Sequence, residues 1–146
     1  MSPHLKSTGL AIAALVLSLT APLLPTAYSP LPVLAQTSTH SASKAEADRL
    51  LQQGNQQYQI SQFDAAFQSW QKSLQIYRNL KDRLGEGQSL GNLGIAYYSL
   101  GNYAKAIEYH EQHLAIAREI KDRLGEGQSL GNLGIAYYSL GNYAKA

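Results

Sequence analysis

The sequence lacks cysteine altogether, has little net charge and contains no proline after Pro32. Without cysteine, disulfide bonds, thiol catalysis and thiolate metal sites are excluded. The 12 basic and 10 acidic residues give a net charge of +2, which becomes eleven minus ten, or +1, if a segment containing Lys6 is removed. Nucleic-acid phosphates require a far more basic surface. We therefore expect no nucleic-acid partner.

The motifs that hold nucleotide phosphates are also missing. Four glycines occur in the stretch GEGQSLGNLG at residues 85–94, which returns unchanged at residues 125–134. A dinucleotide fingerprint needs a glycine where Leu90 stands and a strand before it, but the preceding residues have a helical pattern. The tripeptide Gly-Lys-Ser/Thr that ends a Walker loop does not occur in the sequence. We expect no nucleotide cofactor and interpret these glycines as part of a repeat.

Two histidines, His110 and His113, are the residues that come nearest to a metal-binding pattern. Only two residues separate them, so the zincin order H-E-x-x-H is not met, and a metal needs further ligands. We interpret both as packed or partly exposed structural histidines. The sequence also lacks a nucleophile elbow and a convergent set of serine, histidine and acid. We expect no metal site, no cofactor and no catalysis.

The N-terminus has the pattern of a secretory signal peptide that covers residues 1–35. Lys6 precedes an almost wholly apolar run at residues 10–19, and the small residue Ala35 ends a sequence that fits a cleavage site. We expect cleavage after Ala35, with Ala27 as the weaker option. The expected location is therefore outside the cytoplasm, either periplasmic or extracellular.

The residues after the apolar run leave alternatives open. Pro22 interrupts the run before it reaches the roughly 20 apolar residues that a membrane-spanning helix needs. An uncleaved membrane anchor and a buried core helix remain alternatives to export, and membrane contact is expected only through an uncleaved N-terminal segment. Residues 36–44 have no apolar periodicity and are predicted to be a polar linker.

A period of 40 residues organises the rest of the chain. Residues 81–106 and 121–146 are identical over 26 positions and lie 40 positions apart. Self-similarity of this length indicates a stacked repeat protein. Weaker matches with the same spacing extend the pattern upstream: Leu50, Gly54, Tyr58 and Ala66 precede Leu90, Gly94, Tyr98 and Ala106 by one period. The predicted units are a divergent first, a full second and a partial third, at about 45–80, 83–120 and 123–146.

Within each unit the apolar spacing is helical. Apolar residues recur three or four positions apart over about 83–99 and again over about 103–120, with Gly101-Asn102 as a turn signal between them. Asp82 is the predicted N-cap of the first helix. Helices joined by so short a turn pack antiparallel, and each pair leaves an apolar flank that the next pair buries. We expect an all-α fold of stacked antiparallel helix pairs.

The residues of one unit resemble the tetratricopeptide repeat family. The full unit carries this pattern at Leu93, Gly94, Tyr97, Gly101, Tyr103, Ala106 and Leu114. The period of 40 is similar to that of the longer-repeat subgroup, which includes the Pins-type polarity adaptors and many bacterial repeat proteins. The resemblance implies a right-handed α-solenoid over residues 45–146, truncated in the third unit, whose small residues let paired helices approach closely. The helix-packing residues predicted in this way are Gly54, Ala66, Gly94, Ala106, Gly134 and Ala146.

The resemblance also implies that the first helix of each unit lines a concave groove for a protein or peptide. Amide side chains bond to both donors and acceptors of a peptide backbone, and tyrosine offers a rigid ring with a polar tip. The predicted groove residues are Asn55, Tyr58, Gln88, Asn92, Tyr98, Gln128, Asn132 and Tyr138. The alternative is that these asparagines and tyrosines only link adjacent repeats. None of them is basic, so we expect a neutral extended peptide or an amphipathic helix and not a terminal carboxylate.

The glycines inside the predicted helices need separate explanations, because each costs roughly 1 kcal/mol relative to alanine. Gly91 and Gly131 are predicted to face the groove. For Gly85 and Gly87 we predict only a soft helix start. His113 stands where the family has a small residue, so looser packing is expected around it.

Three hypotheses about function follow from these observations. The first is an exported protein-interaction module without catalysis. The second is the recognition arm of a larger protein whose C-terminal effector, such as a caspase-like CHAT domain, is missing from this chain. The third is self-association through the open third unit.

Overall fold

The computed structural model describes residues 31–141, with side chains from residue 37 onwards. In this range the chain forms five helices and no strand: α1 (Leu31–Gln59), α2 (Phe63–Leu80), α3 (Arg83–Ser99), α4 (Tyr103–Glu119) and α5 (Arg123–Ser139). None of the described helices has the length and hydropathy needed to cross a membrane. Most of the predicted signal peptide, residues 1–30, and the predicted packing residue Ala146 lie outside the described residues.

The predicted linker is helical in the structure. Helix α1 begins at Leu31 and therefore includes both the predicted cleavage position Ala35 and residues 36–44. No glycine or proline occurs between residues 33 and 53 to end such a helix. Side chains 37–46 are exposed, and Ala47 is the first buried one of those described. Packing against the rest of the fold thus begins close to where the predicted linker ends.

Side-chain caps fix the starts of the later helices. The Asp82 carboxylate accepts a hydrogen bond from the Gly85 N–H at 3.0 Å, as the N-cap prediction requires, and Asn102 accepts one from the Lys105 N–H at 3.2 Å. Helix α3 has the predicted bounds, and α4 ends one residue before the predicted position. Apolar spacing and capping residues therefore locate these two helices well.

The turns between helices repeat with the same 40-residue period. Gly101 and Gly141, which follow the first helix of their units, have φ values of 75° and 82°, and Ser61 has the same left-handed conformation at 61°. The turns that precede the next unit use Lys81 and Lys121 at 57° and 61°. Glycine adopts this conformation without strain, whereas a lysine does so at a cost.

The core lies between the helix pairs. In its larger cluster, Trp70, Tyr77, Leu90 and Leu93 are each at most 2% exposed, and Ile116 of α4 packs against them. The second cluster consists of Ala106, Ile107, Leu133 and Ala136. Each helix packs against its neighbour in the chain, and α3 also touches α1 and α5. The prediction of an all-α fold of stacked antiparallel helix pairs is confirmed.

Helices α3 and α5 have the same 17-residue sequence but different surroundings. Leu90 on α3 is 1% exposed, whereas its equivalent Leu130 on α5 is 48% exposed. The difference arises because α3 packs between α2 and α4, whereas α5 contacts α4 and α3 within the described residues. Burial of an identical segment is thus set by its neighbours and not by its own sequence.

Ion pairs hold adjacent units in register. Arg78 and Arg83 both reach Glu86, at 3.0 and 2.5 Å, and Arg83 also pairs with Glu119 of the following helix. One period later, Arg118 and Arg123 pair with Glu126 at 3.0 and 2.6 Å. The repeat of this arrangement shows that successive units stack with the same geometry.

Candidate functional site

Five of the predicted groove residues line a single cavity of about 500 Å³. The cavity lies along α1, α3 and α5, the first helices of the three units. Its amide side chains are Asn55, Gln88, Asn92, Gln128 and Asn132. Leu51, Ile95 and Leu124 add apolar surface. Amides from three successive units therefore offer hydrogen-bond donors and acceptors to whatever occupies the cavity.

Asn55 takes part in the structure as well as in the cavity wall. Its Oδ1 accepts one hydrogen bond from Trp70 Nε1 at 3.0 Å and another from Asn92 Nδ2 at 2.9 Å. The first bond satisfies the indole of a side chain that is 2% exposed, and the second joins α1 to α3. Asn55 and Asn92 thus link neighbouring units while they line the cavity.

The tyrosines at the 40-residue spacing also join units. The Tyr58 hydroxyl lies 2.7 Å from Ser99 Oγ, and the Tyr98 hydroxyl lies 3.1 Å from Ser139 Oγ. Tyr138 is 62% exposed. Tyr58 and Tyr98 therefore link adjacent repeats, as the alternative interpretation of these tyrosines predicts.

An apolar pocket of about 240 Å³ adjoins the larger cavity, and Tyr98 is one of its walls. Ile95 and Ile135 face it from α3 and α5, and His110 and Asn132 complete it. Ile95 and Asn132 line both spaces, so the pocket and the cavity lie side by side, and together they are called the groove below. The groove thus combines an amide-lined section with an apolar section.

Several glycines allow a ring from a neighbouring helix to lie against the backbone. A Cβ on Gly54 would lie 2.5 Å from the Trp70 ring, and one on Gly94 would lie 2.5 Å from the His110 ring. On Gly85 it would overlap the Tyr77 ring, so this glycine has a packing role beyond the soft helix start that we predicted. Real Cβ atoms do not approach other atoms so closely, so these helices are in close contact because the glycines lack a side chain.

The structure agrees with the predicted place of Gly91 in the groove but contradicts the prediction for His113. Gly91 does line the cavity, but it is buried, and a Cβ there would lie 2.9 Å from His113 Nδ1. A Cβ on Gly87 would likewise lie 3.3 Å from the same ring. The expectation of loose packing around His113 is wrong, because glycines on α3 make room for the larger side chain on α4. Gly131, the equivalent of Gly91 on α5, is exposed.

The remaining predicted packing positions differ in burial. Ala66 and Ala106 are fully buried, whereas Gly134 is only half-buried. Ala66 belongs to the cluster that joins α2 to α1 and α3, and Ala106 belongs to the cluster with Leu133 and Ala136 of α5. These placements agree with a packing role for the two alanines.

Both histidines of α4 are buried, and burial governs their protonation. Desolvation, with a smaller contribution from His113, lowers the pKa of His110 to about 4. Burial also lowers the pKa of His113, although the nearby Asp122 carboxylate opposes this shift. The Nδ1 atoms of both rings are buried, and neither has a hydrogen-bond partner among the residues that the structure describes. At neutral pH the two rings are therefore uncharged.

Within residues 37–141, no three potential ligands come together in a way that would hold a metal ion. His113 and Asp122 do line the cavity, and neither was predicted to do so. The sequence contains only one signal for them, the N-cap pattern at Asp122, and capping does not reveal which way the second carboxylate oxygen faces. Their place in the groove follows from how α4 and α5 pack together.

Comparisons with known proteins agree with this architecture. The sequence profile of the tetratricopeptide repeat family matches residues 46–119 and 93–146. Among solved structures, the TPR domain of FLU from Arabidopsis is similar, with a TM-score of 0.67 and 26% identity over 70% of this chain and 87% of that one. A search of curated proteins found no match. The chain therefore belongs to the tetratricopeptide repeat family, whose stacked helix pairs form protein–protein interaction modules.

Proposed function

We propose that this protein binds an extended peptide segment of a partner protein in the groove along α1, α3 and α5, and that it has no catalytic role of its own. The observation that carries the proposal is the row of five amides from three units around one cavity of about 500 Å³. An extended peptide presents backbone N–H and C=O groups along its length, and asparagine and glutamine side chains can bond to both. No lysine or arginine is among the described residues that line the cavity, so these residues are not suited to a terminal carboxylate.

The test uses peptides selected by the protein itself. A library of random twelve-residue peptides displayed on phage is panned against the purified chain, and the selected peptides are synthesised with a fluorescent label. Asn132→Ala should weaken their binding about fivefold, because the loss of one hydrogen bond corresponds to about 1 kcal/mol. Asn132 suits this test because it lines both parts of the groove. Asn92 is a less suitable position, since it also bonds to Asn55.

A matched control is available on the other side of the molecule. Asn79 is exposed on α2 and lines a separate cavity with Gln71, Gln75 and Tyr109. Asn79→Ala should leave the dissociation constant unchanged, as measured by fluorescence anisotropy. Equal effects of the two substitutions would contradict the groove assignment.

We also propose export, which is supported by the charged start, apolar run and small residue at Ala35 in the sequence. N-terminal sequencing of the mature protein should give a chain that begins at Gln36. A first residue before position 27 would contradict the cleavage that we propose.

A second candidate function is self-association through α5. Three of its apolar side chains, Leu130, Ile135 and Tyr138, are between 48% and 62% exposed. Of their α3 equivalents, Leu90 is 1% exposed and Ile95 and Tyr98 are half-buried. A second copy that covers the three side chains of α5 would bury apolar surface. Light scattering of the purified chain should then show a mass that rises with concentration, and Leu130→Gln should reduce that rise. A constant monomeric mass would remove this candidate.

A further inference from the structure

The carboxylate of Asp122 differs in its ion pairing from the equivalent carboxylate of Asp82 in the preceding unit. Asp82 and Asp122 lie 40 residues apart, and each accepts a hydrogen bond at 3.0 Å from the glycine N–H three residues further on. Asp82 is also neutralised, because Lys44 Nζ lies 3.2 Å from its Oδ2. The residue equivalent to Lys44 in the next unit is Leu84, whose side chain carries no charge. Among the described side chains no lysine or arginine forms an ion pair with Asp122.

Asp122 belongs to the wall of the groove. Of the twelve described residues that line the cavity of about 500 Å³, Asp122 is the only one with a formal charge, since the neighbouring His113 is buried and neutral at pH 7. Its carboxylate lies at the N-terminus of α5 and accepts the hydrogen bond from the Gly125 N–H. Within the part of the chain that the structure describes, the groove therefore presents one negative charge without a counterion.

The apolar pocket lies next to this charge. It shares Ile95 and Asn132 with the cavity that Asp122 lines, and Tyr98 and Ile135 form its other walls. A ligand that extends along the groove meets the carboxylate and the pocket one after the other. The carboxylate favours a positively charged side chain of the ligand, through charge complementarity. The pocket favours an apolar side chain, through burial of apolar surface.

We propose that the groove selects peptide segments in which a lysine or arginine pairs with Asp122 and a neighbouring apolar side chain fills the pocket of Ile95, Tyr98 and Ile135. The proposal rests on the proposed function and adds the chemistry of the partner. The ion pair between Lys44 and Asp82 is an example of this contact within the same chain. In the complex, the cation of the ligand takes the position at Asp122 that Lys44 Nζ takes at Asp82.

The experiment is a double-mutant cycle on the full chain. Peptides selected from the random phage library should share one basic and one apolar position, and the probe is a labelled peptide together with its variant in which the basic residue is glutamine. Asp122→Asn should weaken binding of the basic peptide about tenfold, because a charge-assisted hydrogen bond is lost, and should leave the glutamine peptide unaffected. Asparagine caps helices as well as aspartate does, so the fold is retained.

Asp82→Asn is the matched control. It makes the same substitution at the same position of an equivalent helix, but its carboxylate is already paired with Lys44 and does not line the cavity. It should change binding of either peptide by less than about twofold. Raising the ionic strength should weaken binding of the basic peptide to the wild-type chain and not to Asp122→Asn.

The outcomes separate this proposal from the one on which it rests. Selected peptides that respond to Asn132→Ala, but lack a basic residue or bind Asp122→Asn as tightly as the wild type, would overturn the assignment of Asp122 and leave the groove in place. Selected peptides that ignore Asn132→Ala, or a selection without any binding peptide, would overturn the groove and the charge preference together.

Discussion

Glycines on α3 stand opposite ring side chains on the helices that flank it. A Cβ on Gly94 would come within 2.5 Å of the His110 ring, and a Cβ on Gly91 would come within 2.9 Å of His113. In the same sequence on α5, a Cβ on Gly131 would meet none of the described residues within 4 Å. Close packing thus requires the glycine at position 91 on α3, but it does not require the equivalent glycine at position 131 on α5.

This contrast gives a paired stability prediction. Gly91→Ala should lower the free energy of unfolding by about 1 kcal/mol, because the clash with His113 outweighs the gain in helix propensity. Gly131→Ala, the same change in the same local sequence, should raise it by roughly 0.5–1 kcal/mol. Urea denaturation followed by circular dichroism measures both. A loss of stability in both variants, or in neither, would contradict the packing described for His113.

The buried histidine predicts a dependence of stability on pH. Burial lowers the pKa of His110 from 6.5 in the unfolded chain to about 4 in the fold, so between these values only the unfolded chain takes up this proton. Stability is complete above pH 6.5 and falls as the pH decreases towards about 4. The loss from His110 is on the order of 3 kcal/mol, because each pKa unit corresponds to about 1.4 kcal/mol. His113 contributes in the same direction, although the nearby Asp122 carboxylate makes its contribution smaller.

The measurement compares the wild type with His110→Gln by urea denaturation between pH 4 and 7.5. The variant should lose less stability than the wild type over this range, since glutamine does not titrate. His40→Gln, at an exposed position of α1, is the control and should follow the wild-type curve. Parallel curves for the wild type and His110→Gln would show that the ring is not held neutral by burial.

At the scale of the helices and turns, two lysines occupy a conformation that suits glycine. Lys81 and Lys121 have φ values of 57° and 61°, at the turns between units, whereas Gly101 and Gly141 fill the turns within units. A side chain in the left-handed region costs roughly 1–2 kcal/mol, and part of this is recovered because glycine loses more entropy on folding.

Lys81→Gly should therefore raise the free energy of unfolding by up to about 1 kcal/mol. Lys81→Ala is the control, because it removes the long side chain but keeps the Cβ that causes the strain, and it should have an effect near zero. Thermal denaturation of the two variants is sufficient. A glycine variant no more stable than the alanine variant would contradict the strain assigned to this turn.

The helices show how far local sequence determines an element. The apolar spacing and the cap at Asp82 predict α3 at its observed bounds, since both are local signals. Helix α1 is longer than predicted because the polar residues 36–44 contain nothing that breaks a helix, although they have no apolar face to reveal it. The role of Gly85 was not predictable in the same way, because the Tyr77 ring reaches it from another helix.

At the scale of the whole molecule, the 40-residue period predicts the stack and much of the groove. Five amides of the predicted set do line one cavity, because residues one period apart come to equivalent places when units stack regularly. The hydroxyl contacts of Tyr58 and Tyr98 with the next unit depend on the exact offset between units, which spacing alone does not give. The charge of Asp122 in the groove was not predictable from the repeat, because Asp82, one period earlier, is paired with Lys44. That ion pair joins α1 to the N-cap of α3 and has no signal in the local sequence.

The central claim is that a partner peptide lies along α1, α3 and α5, and its location on the molecule can be measured directly. The ¹⁵N-labelled chain is titrated with a peptide selected from the random library, and the shifts of its backbone amide signals are followed by NMR. We predict that the largest changes fall on residues around Asn55, Asn92 and Asn132, which line the groove. Changes centred instead on Gln71, Gln75 and Asn79, which line the cavity of about 530 Å³ beside α2 and α4, would contradict the account.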